Sequence, residues 1–241
     1  MSESQLSKKE AYDLQKQEKN RQNTSVDKRV KTKRIFLWSS VLVGLVLSVW
    51  SLAKLISLAP AGEASLLDAM SATDWVKGSP ESKNILVEYS DFQCPACKSY
   101  HPMVKKLLED HTDNVRVVYR HFPLPQHQNA KPAAYASEAA GQQGKFWEMH
   151  DVLFEHQEEW AEAGNAQDLF VQYAASLGLD LERFKQERDS SAVKEQVEKD
   201  YDSGIINGIN STPTFFFNGQ KIQPRSYKDF VDLVKKSSES R

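Results

Sequence analysis

Residues 84–110 read NILVEYSDFQCPACKSYHPMVKKLLED, and this stretch decides the fold. The opening NILVEYS is a short apolar run rich in β-formers, long enough for a buried strand and too short for a helix. Past the cysteines, Tyr100, Met103, Val104, Leu107 and Leu108 recur at spacings of three and four. That is the period of an amphipathic helix over 95–109, with Pro95 tolerated in its first turn. VRVVYRHF (115–122) is a second strand, closed by the breakers Pro123-Leu124-Pro125. Strand, helix and strand in this order make a βαβ unit with Cys94 and Cys97 at the strand-to-helix junction.

Downstream, residues 129 to about 207 carry only helical patterns, over 133–142, 145–155, 166–177, 181–188 and 192–206, punctuated by Gly144, Gly164 and Gly178. Phe146, Trp147, Phe154 and Trp160 recur within this block at helical spacing and are expected to form its core. Thr214-Phe215-Phe216-Phe217, the Asn218-Gly219 turn and Gln220-Lys221-Ile222 form a hairpin signal. Ser226 is placed to cap a last helix through Tyr227, Phe230, Val231 and Val234. A further strand is possible near 75–78.

Upstream, residues 35–52 (IFLWSSVLVGLVLSVWSL) contain no charge, and apolar character continues past Lys54 to Leu58. This is about the ~20 residues that cross a bilayer, with Lys54 able to snorkel and Trp38 and Trp50 at belt positions. Lys28, Arg29, Lys31, Lys33 and Arg34 precede the segment, and after Lys54 the next basic residue is Lys77. The bias toward positive charge on the cytoplasmic side puts the N-terminus inside. Ala59-Pro60-Ala61 has the spacing of a signal cleavage site, but the apolar run and the 34-residue leader are both long for a signal peptide. An uncleaved anchor is therefore expected. The organisation read from the chain is a polar cytoplasmic tail (1–34), a transmembrane helix (35–58), a linker (59–73) and a folded domain (74–241). The expected location is the cytoplasmic (inner) membrane, single-pass, with the folded domain in the periplasm or at the cell exterior.

Residues 1–59 hold 11 Lys and Arg against 5 Asp and Glu, and the remainder hold 20 against 28. The folded domain is acidic, which argues against a nucleic-acid partner.

Only two cysteines occur in the 241 residues. A disulfide closing two intervening residues removes little entropy from the unfolded chain and would be a poor staple, so the pair reads as redox-active. Cys94, Cys97 and His101 also fit C-x2-C-x3-H, but three ligands fall short of a closed tetrahedral zinc site and no second cluster follows. No metal site is assigned, and His101, His121 and His127 are read as ordinary structural residues.

The order β-α-β, helical block, β-β-α, with C-x-x-C after the first strand and a proline before the hairpin, resembles thioredoxin. The long helical insertion resembles the DsbA-like thiol:disulfide oxidoreductases. EYSDFQCPAC (88–97), RHFPL (120–124) and STPT (211–214) look like that family's signatures in its order. The implied fold class is α/β, a thioredoxin-like fold with an all-helical insertion at about 129–207. The implied activity is protein disulfide oxidoreduction, most simply an oxidase donating the Cys94–Cys97 disulfide to exported proteins bearing cysteine thiols. A reductase or isomerase is the nearest alternative, and a non-catalytic thiol or metal-binding module a more distant one.

Cys94 at the helix N-terminus is expected to hold a thiolate, stabilised by unpaired N–H groups and the macrodipole, while Cys97 resolves. The resemblance further implies a cis bond before Pro213, with the Thr212 backbone beside Cys94 available to an extended substrate. Pro95 and Ala96 would line the same surface. It also implies that Glu88 is an acid beneath the site moving a proton to or from Cys97, although alternation within the strand suggests only a solvent-facing side chain. Ala96 departs from the family's best-known oxidases, which carry His there, and a higher Cys94 pKa and a less oxidising couple are expected. No cofactor beyond the disulfide is expected, and reoxidation by a quinone-linked membrane protein is implied.

Overall fold

The computed structural model describes residues 38, 43–45, 47, 48, 50, 70, 71 and 73–239. The polar tail of 1–34 lies outside the described residues, as do most of the expected membrane helix over 35–58 and most of the linker over 59–73. The seven described positions between 38 and 50 are helical. Among the described residues no helix is long and apolar enough to cross a membrane. The chain separates after Ala61 into two units, and the second, Gly62–Arg241, carries the cysteine pair.

The elements of this second unit in chain order are β1 (Trp75–Gly78), β2 (Ile85–Ser90), α1 (Pro95–Asp110), β3 (Arg116–His121), α2 (Ala130–Gly141), α3 (Phe146–Glu155), α4 (Gln157–Trp160), α5 (Ala166–Ser176), α6 (Leu181–Asp189), α7 (Ser191–Ile206), β4 (Thr214–Phe217), β5 (Gln220–Ile222) and α8 (Tyr227–Glu239). The strands form one sheet in the order β1-β3-β2-β4-β5. The β2–β3 pair is parallel, with Val87 opposite Val118, and the other pairs are antiparallel. The possible strand near 75–78 is therefore real and pairs with β3. The short helix α4 has no counterpart in the sequence reading, because four residues are too few to show a helical period.

The parallel pair is covered on both faces, as βαβ geometry requires. Leu86, Val117, Phe215 and Phe217 pack with Val104 and Leu107 of α1 and with Phe230 and Val234 of α8. Val87, Tyr89, Val118 and Phe216 pack on the opposite side with Phe122 and Ile209. The Tyr89 hydroxyl is 2.9 Å from Ser203 Oγ of α7, which fixes that face against the helical block. Gly204 of α7 makes the approach possible, since a Cβ there would lie 2.5 Å from the Phe122 ring. The Asn218-Gly219 turn has positive φ at both residues (48° and 81°), the two-residue hairpin geometry that matches strand twist.

The helical block α2–α7 has its own core, in which Phe146, Phe154, Trp160, Phe170 and Phe184 are buried and Trp147 is half-buried. Phe92, Cys94, Cys97 and Tyr119 belong to the same cluster. The cysteine junction is thus built into the seam between sheet and helical block.

Candidate active site

The backbone sets the site first. Cys94 is the N-cap of α1, with φ −71° and ψ 121°, and Pro95 occupies the first turn, where its missing N–H costs nothing. Asp91 makes the preceding turn: its carbonyl accepts from Cys94 N at 3.1 Å and its Oδ1 accepts from Gln93 N at 2.7 Å. Asp91 Oδ2 accepts from Leu124 N at 2.8 Å and lies 2.7 Å from His127 Nδ1. Gln93 Oε1 accepts from Asn129 N at 2.7 Å, and its Nε2 donates to the Ala161 carbonyl at 2.7 Å. Gln157 Nε2 donates to the carbonyls of Phe92 (2.6 Å) and Cys94 (3.0 Å). The side chains of Asp91, Gln93 and Gln157 therefore tie the loop carrying Cys94 to the segments around it.

Both cysteines are free thiols. Cys97 is fully buried, and Cys94 is 7% exposed, while Pro95 and Ala96 between them are exposed. The Cys94 thiol points at Thr212, donating to its carbonyl at 3.5 Å, and the Thr212–Pro213 bond is cis. The Thr212 hydroxyl is buried and makes no hydrogen bond among the described residues. It is therefore free to turn toward a Cys94 thiolate.

The two thiols are pulled apart electrically. Cys94 is lowered to about 5 by the hydrogen bond from Cys97, against the cost of burial, with smaller help from the Thr212 side chain and the N–H groups of Cys97 and Ala96. Cys97 is pushed well above the ordinary thiol value, first by burial and then by the Cys94 thiolate it serves. One sulfur is thus a stable thiolate near neutrality and the other a protonated donor.

Glu88 is not solvent-facing, contrary to what alternation along β2 suggests. It is 3% exposed, because the face it shares with Leu86 is roofed by α1. Burial raises its carboxyl to about 7, with Ser90 and His101 working in the opposite direction. The Ser90 side chain lowers both Glu88 and Cys97, although its buried Oγ makes no hydrogen bond among the described residues.

His101 does not join the cysteines as C-x2-C-x3-H would require. Its Nε2 is 3.0 Å from Asp151 Oδ1, and His150 Nδ1 is 3.0 Å from the same oxygen. This is the set of donors among the described residues able to hold a metal. His121 bonds Glu138 at 3.0 Å within the core. Of the residues expected at the site, the fold brings Cys94, Cys97, Thr212 and Pro213 together, with Pro95 and Ala96 on the open side and Glu88 behind. Asp91 lies within the EYSDFQCPAC signature but is given no role there, and Asn129 and Gln157 fall in no motif, so the sequence reading missed all three.

A family profile described as thioredoxin matches residues 70–236. The fold is similar to a thioredoxin-like oxidoreductase from Silicibacter pomeroyi DSS-3, at 26% identity and TM-score 0.60, covering 70% of this chain and 94% of that one. It is similar to oxidised BdbD from Bacillus subtilis, at 27% identity and TM-score 0.60, covering 67% and 90%. Wolbachia pipientis alpha-DsbA1 shares the fold at 22% identity and TM-score 0.62, covering 69% and 91%. Among curated proteins the chain is 40% identical over 193 residues to the Na(+)/H(+) antiporter NhaA 3 of Salinispora tropica, covering 74% of this chain and 29% of that protein. The chain thus spans less than a third of that relative's length.

Proposed function

We propose that this chain, which belongs to the thioredoxin family, is a DsbA-like thiol-disulfide oxidoreductase and acts as a membrane-anchored oxidase that donates the Cys94–Cys97 disulfide to exported proteins. The observation that carries this reading is the division between the thiols: Cys94 lowered to about 5 and Cys97 raised. A stabilised thiolate favours the dithiol over the disulfide, and a couple whose reduced form is stabilised is an oxidant.

A substrate thiolate attacks Cys94 Sγ of the disulfide. The Cys94–Cys97 bond breaks, Cys97 leaves as a thiolate and takes up a proton, and a mixed disulfide joins Cys94 to substrate. A second substrate thiolate attacks the substrate sulfur of that bond, and Cys94 leaves as its stable thiolate. The substrate has lost two electrons to the enzyme, and its disulfide is complete. Glu88, buried on β2 behind the cysteines, is the proton donor, and Thr212 presents its backbone to an extended substrate segment. An open groove of about 690 Å³ beside Pro95, bordered by Gln93, Lys98, Gln157 and Glu162, offers room for a substrate segment.

The apolar run at 35–58 and the basic residues before it support a single-pass anchor with the N-terminus in the cytoplasm and the catalytic domain outside. A quinone-linked membrane protein would reoxidise Cys94–Cys97. The deciding experiment is the Cys94–Cys97 reduction potential by equilibration with glutathione. Thiolate values of about 3.5 in DsbA and about 7 in thioredoxin bracket the value here, and the corresponding potentials are about −120 and about −270 mV. A potential near −150 mV supports the oxidase; one near −270 mV replaces it with a reductase.

A further inference from the structure

A cavity of about 200 Å³ opens between α1 and α3. No cysteine lines it. Glu88, His101, His150 and Asp151 do, among apolar walls that include Val104 and Phe154. We propose that His101, His150 and Asp151 form a mononuclear site for a divalent transition-metal ion of the zinc class, with the cavity supplying its entry path and a water as fourth ligand.

The geometry carries this assignment. His101 Nε2, His150 Nδ1 and a carboxylate oxygen of Asp151 lie within 4.8 Å of one another, and both histidines are buried. Two imidazole nitrogens and one carboxylate oxygen, with an open position, are a donor set that zinc accepts. The two rings converge on a single oxygen, Asp151 Oδ1, at 3.0 Å each, and their centroids are 5.3 Å apart. An ion seated between them replaces two hydrogen bonds to that oxygen with three coordinate bonds.

The surroundings are those of a ligand set held in place. Asp151 Oδ2 is taken by Lys105 Nζ at 3.1 Å, so the carboxylate is oriented for one-oxygen ligation, and Lys105 is itself tied to Glu155 at 3.0 Å. Lys77, the other lysine at the cavity, sits 5.4 Å over the Trp147 ring. The His101 ring stacks on Phe154 at 5.1 Å, and the His150 ring contacts Tyr119 at 4.9 Å and Phe154 at 5.1 Å. This aromatic shell fixes both ring planes. The second independent observation is Glu88, 3% exposed and without an ion-pair partner among the described residues, whose side chain lines the same cavity. A cation there would give that buried carboxyl a counter-charge.

The sequence pattern that groups His101 with Cys94 and Cys97 picks the wrong partners, since the true neighbours lie about fifty residues later. The test uses the full-length chain in detergent with Cys94→Ser and Cys97→Ser, stripped with chelator and titrated with Zn2+, and with Co2+ as a spectroscopic probe. One equivalent of Zn2+ should bind, and Co2+ should show the visible d–d bands of a low-coordinate nitrogen–oxygen site. Asp151→Asn keeps the shape and hydrogen bonding of the side chain. It should weaken Zn2+ by at least the about 10- to 100-fold that loss of an outer partner causes, and His150→Ala should abolish binding. Thermal unfolding of each apo variant confirms that it is folded. Sub-stoichiometric binding, binding unchanged in Asp151→Asn, or binding that vanishes with the two serines would each overturn the site. Each of these outcomes reads metal binding directly, and the thiol chemistry is tested separately by the reduction potential.

Discussion

The Sγ of Cys94 lies 3.5 Å from the carbonyl oxygen of Thr212, a residue 118 positions later in the chain. The contact joins the N-terminus of α1 to the loop entering β4, and so places the reactive sulfur against a backbone edge. Cys97 and the N–H groups of Ala96 and Cys97 act on the same sulfur.

The pairing of the thiols predicts that Cys97→Ala raises the Cys94 pKa, because the Cys97 hydrogen bond is the largest influence lowering it to about 5. Thiolate absorbance or alkylation rate against pH should show a single wild-type titration near 5, moved upward in the variant. In cells that export the protein, the same variant should trap mixed disulfides through Cys94. An unmoved titration would show that α1 alone sets the value.

Stability of the reduced protein, measured relative to the oxidised protein, should fall on acidification. The folded pKa of Cys94 lies below its unfolded value, so its contribution is complete above about pH 9 and is lost as pH drops toward 5. Cys97 acts only at the alkaline end, and Glu88 is present in both redox forms. Thermal unfolding of both forms between pH 5 and 8 should show the difference narrowing toward pH 5, by a few kcal/mol at most.

Glu88 makes the opposite prediction in either redox form. Its folded pKa, raised from 4.5 to about 7 by burial, exceeds the unfolded one. Stability from this group is complete below about pH 4.5 and declines as pH rises to about 7, by up to about 3 kcal/mol. Glu88→Gln should remove that decline in chemical denaturation measured at pH 5 and pH 8. It should also slow protonation of Cys97 and so alter the pH profile of mixed-disulfide formation.

Gln157→Leu should leave the carbonyls of Phe92 and Cys94 without their donor, since Gln157 Nε2 bonds both. The cost expected is about 1–3 kcal/mol of stability for the stranded buried groups. If the residue positions the Cys94 loop, the Cys94 titration shifts as well; a merely structural role lowers the melting temperature alone.

Gly204→Ala should destabilise the seam between α7 and the sheet, because the added methyl would lie 2.5 Å from the Phe122 ring. Overpacking of this kind costs about 1–3 kcal/mol. Urea unfolding monitored by far-UV circular dichroism should show the shift, with the Cys94 titration unchanged.

The α/β order, the cysteine pair at the start of α1 and the Asn218-Gly219 hairpin were all legible in the chain. Each rests on interactions within a few residues: hydrophobic period, cap position and turn chemistry. β1 could be placed only as a possibility, since WVKG has too few residues to display alternation. Glu88 reads as exposed from the alternation of its strand because sequence does not say whether a second layer covers that face. His101 has cysteines as its nearest sequence neighbours of ligand type, yet Asp151 and His150 are its neighbours in space.

The sequence by itself determined that a strand delivers two thiols to the start of a helix, because backbone preference and side-chain period are local properties. Only the tertiary structure decided how those thiols differ. Desolvation of Cys97 and Glu88 requires the layers to close over them, and the bonds from Gln157 and to Thr212 span 63 and 118 residues. Hydrogen bonds and burial act through space, and chain separation carries no record of them.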